Sequence, residues 1–200
     1  NCNYIATGHY AVCEYDEKSG SFLFNPDTDK NQLAVLKAAY KASGEDAFVE
    51  AFSNSPPYYM TVSGCTSGSK NAVANNLKQS QIAPFAQYLA QVCENIQTCH
   101  GIKIKSLAAM NEPFTNYWKA FSPKQEGCHV SPGKMQSRLI TATAQALKDK
   151  GLSDITVTAT DETNTKLQLR ALKKLSDEAL EVVGRVSTHT YSKATPKVGE

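Results

Sequence analysis

The chain has 200 residues, is 41% hydrophobic and 20% charged, and carries a formal net charge of +2. That length can bury one core, so a single domain is expected. So small a charge gives no electrostatic case for nucleic acid or an anionic membrane, and no apolar run approaches the roughly 20 residues of a membrane span.

Residues 1–30 are rich in Asn, Asp, Gly and Ser and read as an irregular loop region with short extended pieces such as SFLF. From Asn31, NQLAVLKAAYKAS places Leu33, Leu36 and Tyr40 at helical spacing, with Gly44 as a stop. AFVEAF (47–52) is a short strand, and the two prolines of SNSPPYYM cannot continue its ladder. After a Gly/Ser/Asn loop, Ile82, Phe85, Leu89, Val92 and Ile96 mark a helix, with Ser80 as its expected N-cap and Pro84 in its first turn. IKIKSLAAM (102–110) is the next strand. Ser131-Pro132 is expected to open a helix through Met135, Leu139, Ala142 and Ala146 that stops by Gly151. ITVTAT (155–160) is β-branched strand, TKLQLRALKKLSDEAL one helix through Leu169, Leu172 and Leu175, and RVSTHTY (185–191) the last strand.

From residue 47 the order is therefore β-α-β-α-β-α-β, which predicts an α/β fold with a parallel sheet and crossover helices. An open doubly wound sheet and part of a (β/α)8 barrel both fit. No G-x-G-x-x-G or P-loop follows any strand, so a nucleotide-binding version has no support.

Each strand ends in chemically capable residues: Ser53, Asn54 and Ser55; Asn111 and Glu112; Asp161, Glu162 and Asn164; His189 and Tyr191. One polar residue after a strand is ordinarily loop. Four such endings in succession share one face of a parallel sheet, and in barrels that face carries the active site. Glycoside hydrolysis needs two carboxyl groups about the scissile bond, one of them a proton donor. Glu112, fixed between Asn111 and Pro113, suits the donor, and Asn111 could bond a sugar hydroxyl. Trp118, Tyr117, Phe114, Tyr58 and Tyr59 offer flat faces for pyranose rings, core packing being the plainer role for each. No G-x-S-x-G elbow is present, and His9, His100, His129 and His189 show no metal-ligand spacing, so neither cofactor nor metal is implied.

Six cysteines without a CxxC pair read as a disulfide framework in an oxidising compartment. Cys93 with Cys99 and Cys2 with Cys13 are the sequence-local pairs; Cys65 with Cys128 would join two loops on one side of the fold.

Four stretches, EAFSNSPPYYMTVSG, AAMNEPFTNYW, TATDETN and STHTY, resemble the retaining glycoside hydrolases of family 30, and within it the endo-β-1,6-galactanases. The resemblance runs from about Asn31 to Tyr191. It implies a (β/α)8 TIM barrel of which the four strands are roughly strands three to six. It puts Glu112 at the acid/base position, Asn111 at the neighbouring sugar-binding asparagine, His189 and Tyr191 at a pair lining the same subsite, and Asp161 and Glu162 near the substrate. Asn54 and Trp118 complete the expected substrate-binding set. The family's nucleophile is a glutamate at the end of strand seven, which has no counterpart here. Residues 1–200 are thus expected to form a single incomplete catalytic domain, an internal fragment inactive by itself. The expected parent is a secreted, monomeric endo-glycosidase acting by double displacement on β-1,6-linked galactan. The alternatives are a β-1,6-glucanase or xylanase of the same family, or a non-catalytic carbohydrate-binding remnant.

Overall fold

The computed structural model describes residues 4–8, 13–16, 21–24, 30–44 and 46–191. Its main sheet has five strands: β1 (Tyr4–Gly8), β4 (Phe48–Phe52), β5 (Ser106–Ala108), β6 (Thr156–Glu162) and β7 (Val183–Thr188). All pair in parallel, and their order in the sheet is their order in the chain. A doubly wound sheet reverses its order at a switch point, whereas a barrel does not. The unbroken order decides between the two architectures left open by the sequence and gives a partial TIM-barrel-like fold.

In residues 1–30, expected to be a loop region with short extended pieces, SFLF is a strand as read, but the region is more regular than expected. β1 lies beside β4 in the main sheet, and β2 (Cys13–Asp16) pairs antiparallel with β3 (Ser21–Phe24). The sheet therefore contains one parallel strand more than the four the sequence shows. β1 was missed because five residues flanked by Asn and His carry too little pattern, and its pairing partner lies more than 40 positions on.

Helices join the strands. They are α1 (Lys30–Ser43), α2 (Ile82–His100), α3 (Lys134–Asp149), and the pair α4 (Thr165–Leu172) and α5 (Asp177–Val182). The core lies between them and one face of the sheet. Val49 and Ala51 of β4, Leu107 of β5 and Val157 of β6 pack there with Phe85, Leu89, Leu139 and Ile140. Phe48, Glu50 and Phe52 alternate onto the opposite face. There the Glu50 carboxylate accepts hydrogen bonds from Ser106 of β5 and Thr158 of β6 and lies 3.8 Å from Arg185 of β7, which covers the Phe48 ring.

Several local expectations fail for identifiable reasons. Ser80 does not cap α2, because residues 79–81 form a 3-10 turn that feeds the helix through Gln81. Ser131-Pro132 does not open α3, which starts after Gly133 at φ 90°, a conformation that favours glycine. The long helix after β6 is two helices. Ser176 breaks it by accepting the Ala179 N–H at 3.3 Å as the N-cap of α5, and Asn164 caps α4 by accepting from Leu167 N–H at 3.0 Å.

The expected disulfides are also corrected. Cys65, Cys93, Cys99 and Cys128 are free thiols. Cys93 and Cys99 stand six residues apart on α2, about 120° round the helix, one buried and the other exposed. Cys65 Sγ meets Ser67 Oγ at 3.2 Å and the Phe121 N–H at 3.5 Å, while Cys128 is buried in the core. Cys2, and with it the Cys2–Cys13 pair, lies outside the described residues.

Candidate active site

Glu112 follows β5 at the C-terminal edge of the sheet. Its backbone takes φ 46°, sparsely populated for a residue with a Cβ. Bonds from several directions hold it there. Its N–H donates to Asp161 O beyond β5 (2.8 Å). Its carbonyl accepts from Trp118 Nε1 at 2.9 Å and Thr115 Oγ1 at 3.1 Å. Asp161, on β6, is itself at φ 58°. Two strand ends are thus locked together through the main chain, both in strained conformations of the kind that persist only when their surroundings enforce them.

The Glu112 side chain is 4% exposed. Its Oε2 accepts the Tyr117 hydroxyl at 2.6 Å, and its Oε1 has no hydrogen-bond partner among the described residues. Burial, helped by the neighbouring Glu112 carboxylate, pushes the Tyr117 phenol up to about 12, so it stays a donor. A buried carboxylate oxygen without a partner costs on the order of 1–3 kcal/mol. It is also free to meet a group brought by a ligand.

Beside it, His189 Nε2 lies 3.1 Å from Asn111 Oδ1 and 3.5 Å from Asp161 Oδ2. The Asp161 carboxylate raises the imidazole above its ordinary range, against the opposite pull of burial. Tyr191 stacks on the His189 ring with centroids 5.1 Å apart and remains 75% exposed. Asn111, Glu112, Asp161, His189 and Tyr191 are therefore gathered at one mouth. Asn54, half-buried past β4, shares a narrow crevice with Asn111.

Two expected substrate contacts are placed elsewhere. Glu162 is fully buried. Its carboxylate accepts the Phe114 N–H at 3.0 Å and Gln136 Nε2 at 3.3 Å, and its own N–H donates to Gln168 Oε1. It ties the loop carrying Glu112 to α3 and α4 from behind. Burial, with the Asp161 charge adding, pushes its carboxyl up to about 7. Trp118 is 5% exposed, with Gly127 against its ring, and supports Glu112 through the main chain instead of presenting a face to a sugar. Conversely, Tyr117 is in sequence only one aromatic among several, and nothing in sequence marks Thr163, 3.3 Å from its hydroxyl. A bond between loop residues five apart leaves no periodic trace in a sequence. Among the described residues, no three His, Cys, Asp or Glu side chains converge where a metal ion could sit.

The family model of O-glycosyl hydrolase family 30 matches residues 14–194. The chain is 33% identical over 176 residues to an endo-β-1,6-galactanase of Hypocrea rufa, covering 88% of this chain and 35% of that protein. It is 30% identical over 219 residues to an exo-β-1,6-galactobiohydrolase of Bifidobacterium longum, covering 84% of this chain and 14% of that one. The chain thus spans about a third or less of the length of these relatives. Its fold is similar to the catalytic domain of a family 30 xylanase from Talaromyces cellulolyticus, with a TM-score of 0.66 at 20% identity, over 94% of this chain and 43% of that one. The sheet, its C-terminal mouth and this match along most of the sequence lead to one conclusion: the chain belongs to O-glycosyl hydrolase family 30.

Proposed function

We propose that the chain supplies the proton-transfer half of a glycosidase site that cleaves β-1,6-linked galactan by double displacement. The observation that carries this reading is the Glu112 carboxyl group: buried, anchored by Tyr117 on one oxygen and unpartnered on the other. In the first step Glu112 donates its proton to the departing glycosidic oxygen. In the second it takes a proton from the attacking water. Asn111, positioned by His189, and the exposed ring of Tyr191 bind the sugar.

Retention requires a nucleophilic carboxylate about 5 Å from the acid. Asp161 is engaged by His189, and Glu162 is buried under Phe114 and Gln136. Neither fills that part, and the nucleophile comes from outside the described residues. The relatives' names supply the linkage, since both act on β-1,6-linked galactose. The reading also places the parent outside the cell, with its polymeric substrate, and as a monomer.

The test is Glu112→Gln in the parent enzyme. Galactan, whose leaving group needs a proton, should no longer be cleaved, while aryl galactosides with acidic leaving groups still form the glycosyl-enzyme. Near-normal galactan cleavage by that variant would sink the assignment. A linkage panel addresses the substrate, and preferential release of xylose oligomers would replace galactan by xylan.

A further inference from the structure

Behind the mouth, Glu162 belongs to a closed circuit of hydrogen bonds around the two residues that follow Glu112. Phe114 N–H donates to Glu162 Oε2 at 3.0 Å, and Val130 N–H donates to Pro113 O at 3.0 Å. Gln136 of α3 joins these two supports. Its Nε2 donates to Val130 O at 3.0 Å and to Glu162 Oε1 at 3.3 Å. The main chain of Glu162 reaches the other side of the mouth, where its carbonyl accepts the His189 N–H at 2.8 Å and Thr188 Oγ1 at 3.1 Å. Glu162 thus holds the Glu112 loop through its side chain and His189 through its main chain.

Stability alone does not account for this arrangement. Glu162, Gln136 and Gln168 are each at most 3% exposed. Gln136 Oε1, Gln168 Nε2 and Thr160 Oγ1 of β6 have no hydrogen-bond partner among the described residues. Buried polar atoms without partners lower stability, and apolar groups of the same shape avoid that cost. Directed bonds do what apolar packing does not: they fix one course for the backbone they hold. Here that backbone comes directly after the proton donor. Glu112 itself stands at φ 46°, a conformation that its surroundings must enforce. The Asp161 carbonyl holds its N–H, and the circuit through Glu162 holds the chain that leaves it.

We infer that Glu162 is a positioning residue for the proton-transfer step: through Phe114 it fixes the loop that aims the Glu112 carboxyl group at the glycosidic oxygen. The inference deepens the glycosidase reading above and rests on it. Its consequence is selective. Removing the Glu162 side chain frees Phe114 but leaves the main-chain bond to His189 in place. Sugar binding by Asn111, His189 and Tyr191 should therefore persist while proton delivery weakens.

The experiment compares Glu162→Ala, Glu162→Gln and Gln136→Met in the parent enzyme, each first shown to be folded by its urea midpoint. In Glu162→Ala, kcat on β-1,6-galactan should fall about tenfold to a hundredfold, as for a displacement near 1 Å, with KM unchanged. The burst rate of an aryl galactoside with an acidic leaving group, which needs no proton, should also be unchanged. Glu162→Gln keeps an acceptor for Phe114 and should recover part of the lost kcat. Gln136→Met, close to Gln in volume, cuts the same circuit from α3 and should give the same pattern, smaller in size. Unchanged galactan turnover in Glu162→Ala, a raised KM, or an aryl burst that falls as far as galactan turnover overturns the inference. Failure of both Glu162→Ala and Gln136→Met to fold also overturns it, since the cluster then serves stability. Each of these results leaves the glycosidase reading intact where Glu112→Gln abolishes galactan cleavage. A Glu112→Gln parent that still cleaves galactan overturns the reading, and the inference with it.

Discussion

Gly127 packs flat on Trp118, where an added Cβ would come within 2.1 Å of the ring. Gly127→Ala is expected to lower stability by about 1–3 kcal/mol through overpacking, read as a lower urea midpoint. An unchanged midpoint would mean that the indole is not wedged and could face a ligand after all. Two protons at the site predict a pH dependence. Glu162 is raised from an ordinary 4.5 to about 7, and His189 is raised from 6.5. Both groups therefore hold a proton more tightly folded than unfolded. Their contribution to stability is complete below the unfolded values and is lost as pH rises, from 4.5 through about 7 for Glu162 and upward from 6.5 for His189. The urea midpoint should fall between pH 5 and pH 8, and Glu162→Gln should flatten the lower part of that fall. A wild-type midpoint that rises over the window would contradict the burial of Glu162. At this scale the sequence showed which residue types end each strand. It could not show which way adjacent side chains turn, and Asp161 and Glu162, next to each other on β6, point to the mouth and to the interior respectively.

At the scale of elements, helix caps were legible as residue types but not always as positions. Asn164 and Ser176 act as N-caps because each begins a helix whose first free N–H lies within reach of a side-chain oxygen. Asn164→Ala and Ser176→Ala should each cost about 1 kcal/mol, measurable as additive shifts in thermal midpoint. No shift for Ser176→Ala would mean that α4 and α5 run on as the one helix suggested by Leu169, Leu172 and Leu175. In that continuous helix Leu169 should have been buried, yet it is 47% exposed, because α4 turns Gln168 and Ala171 inward instead. Strands were read more easily than helix ends, since short β-branched runs bounded by polar clusters require no exact cap. What escaped was irregularity within them. β7 skips Gly184 when its partner changes from Val157 to Thr158, and a Cβ there would come 2.6 Å from Thr156. That bulge depends on a neighbouring strand, so RVSTHTY alone could not disclose it.

For the whole molecule, the alternation of strands and helices conveyed the sheet, while the polar inner face did not show in the pattern. Glu50 interrupts an otherwise apolar strand, and only the packed structure reveals that hydroxyls from β5 and β6 and the Arg185 guanidinium converge on it. Glu50→Ala removes the acceptor that links four strands. With Arg185 partly open to solvent, the cost is expected to be about 2 kcal/mol, below that of a fully buried pair. A loss under about 0.5 kcal/mol, typical of a surface substitution, would show that the strands are joined by their ladders alone. The lock between Glu112 N–H and Asp161 O works differently, since it uses main-chain atoms that every residue except proline can supply. Selection can therefore exchange the side chains around the mouth without displacing the Glu112 main chain from Asp161. In directed evolution of the parent enzyme, libraries at Asn116 and Tyr191 should drift in specificity while retaining turnover, whereas insertions between the ends of β5 and β6 should eliminate it.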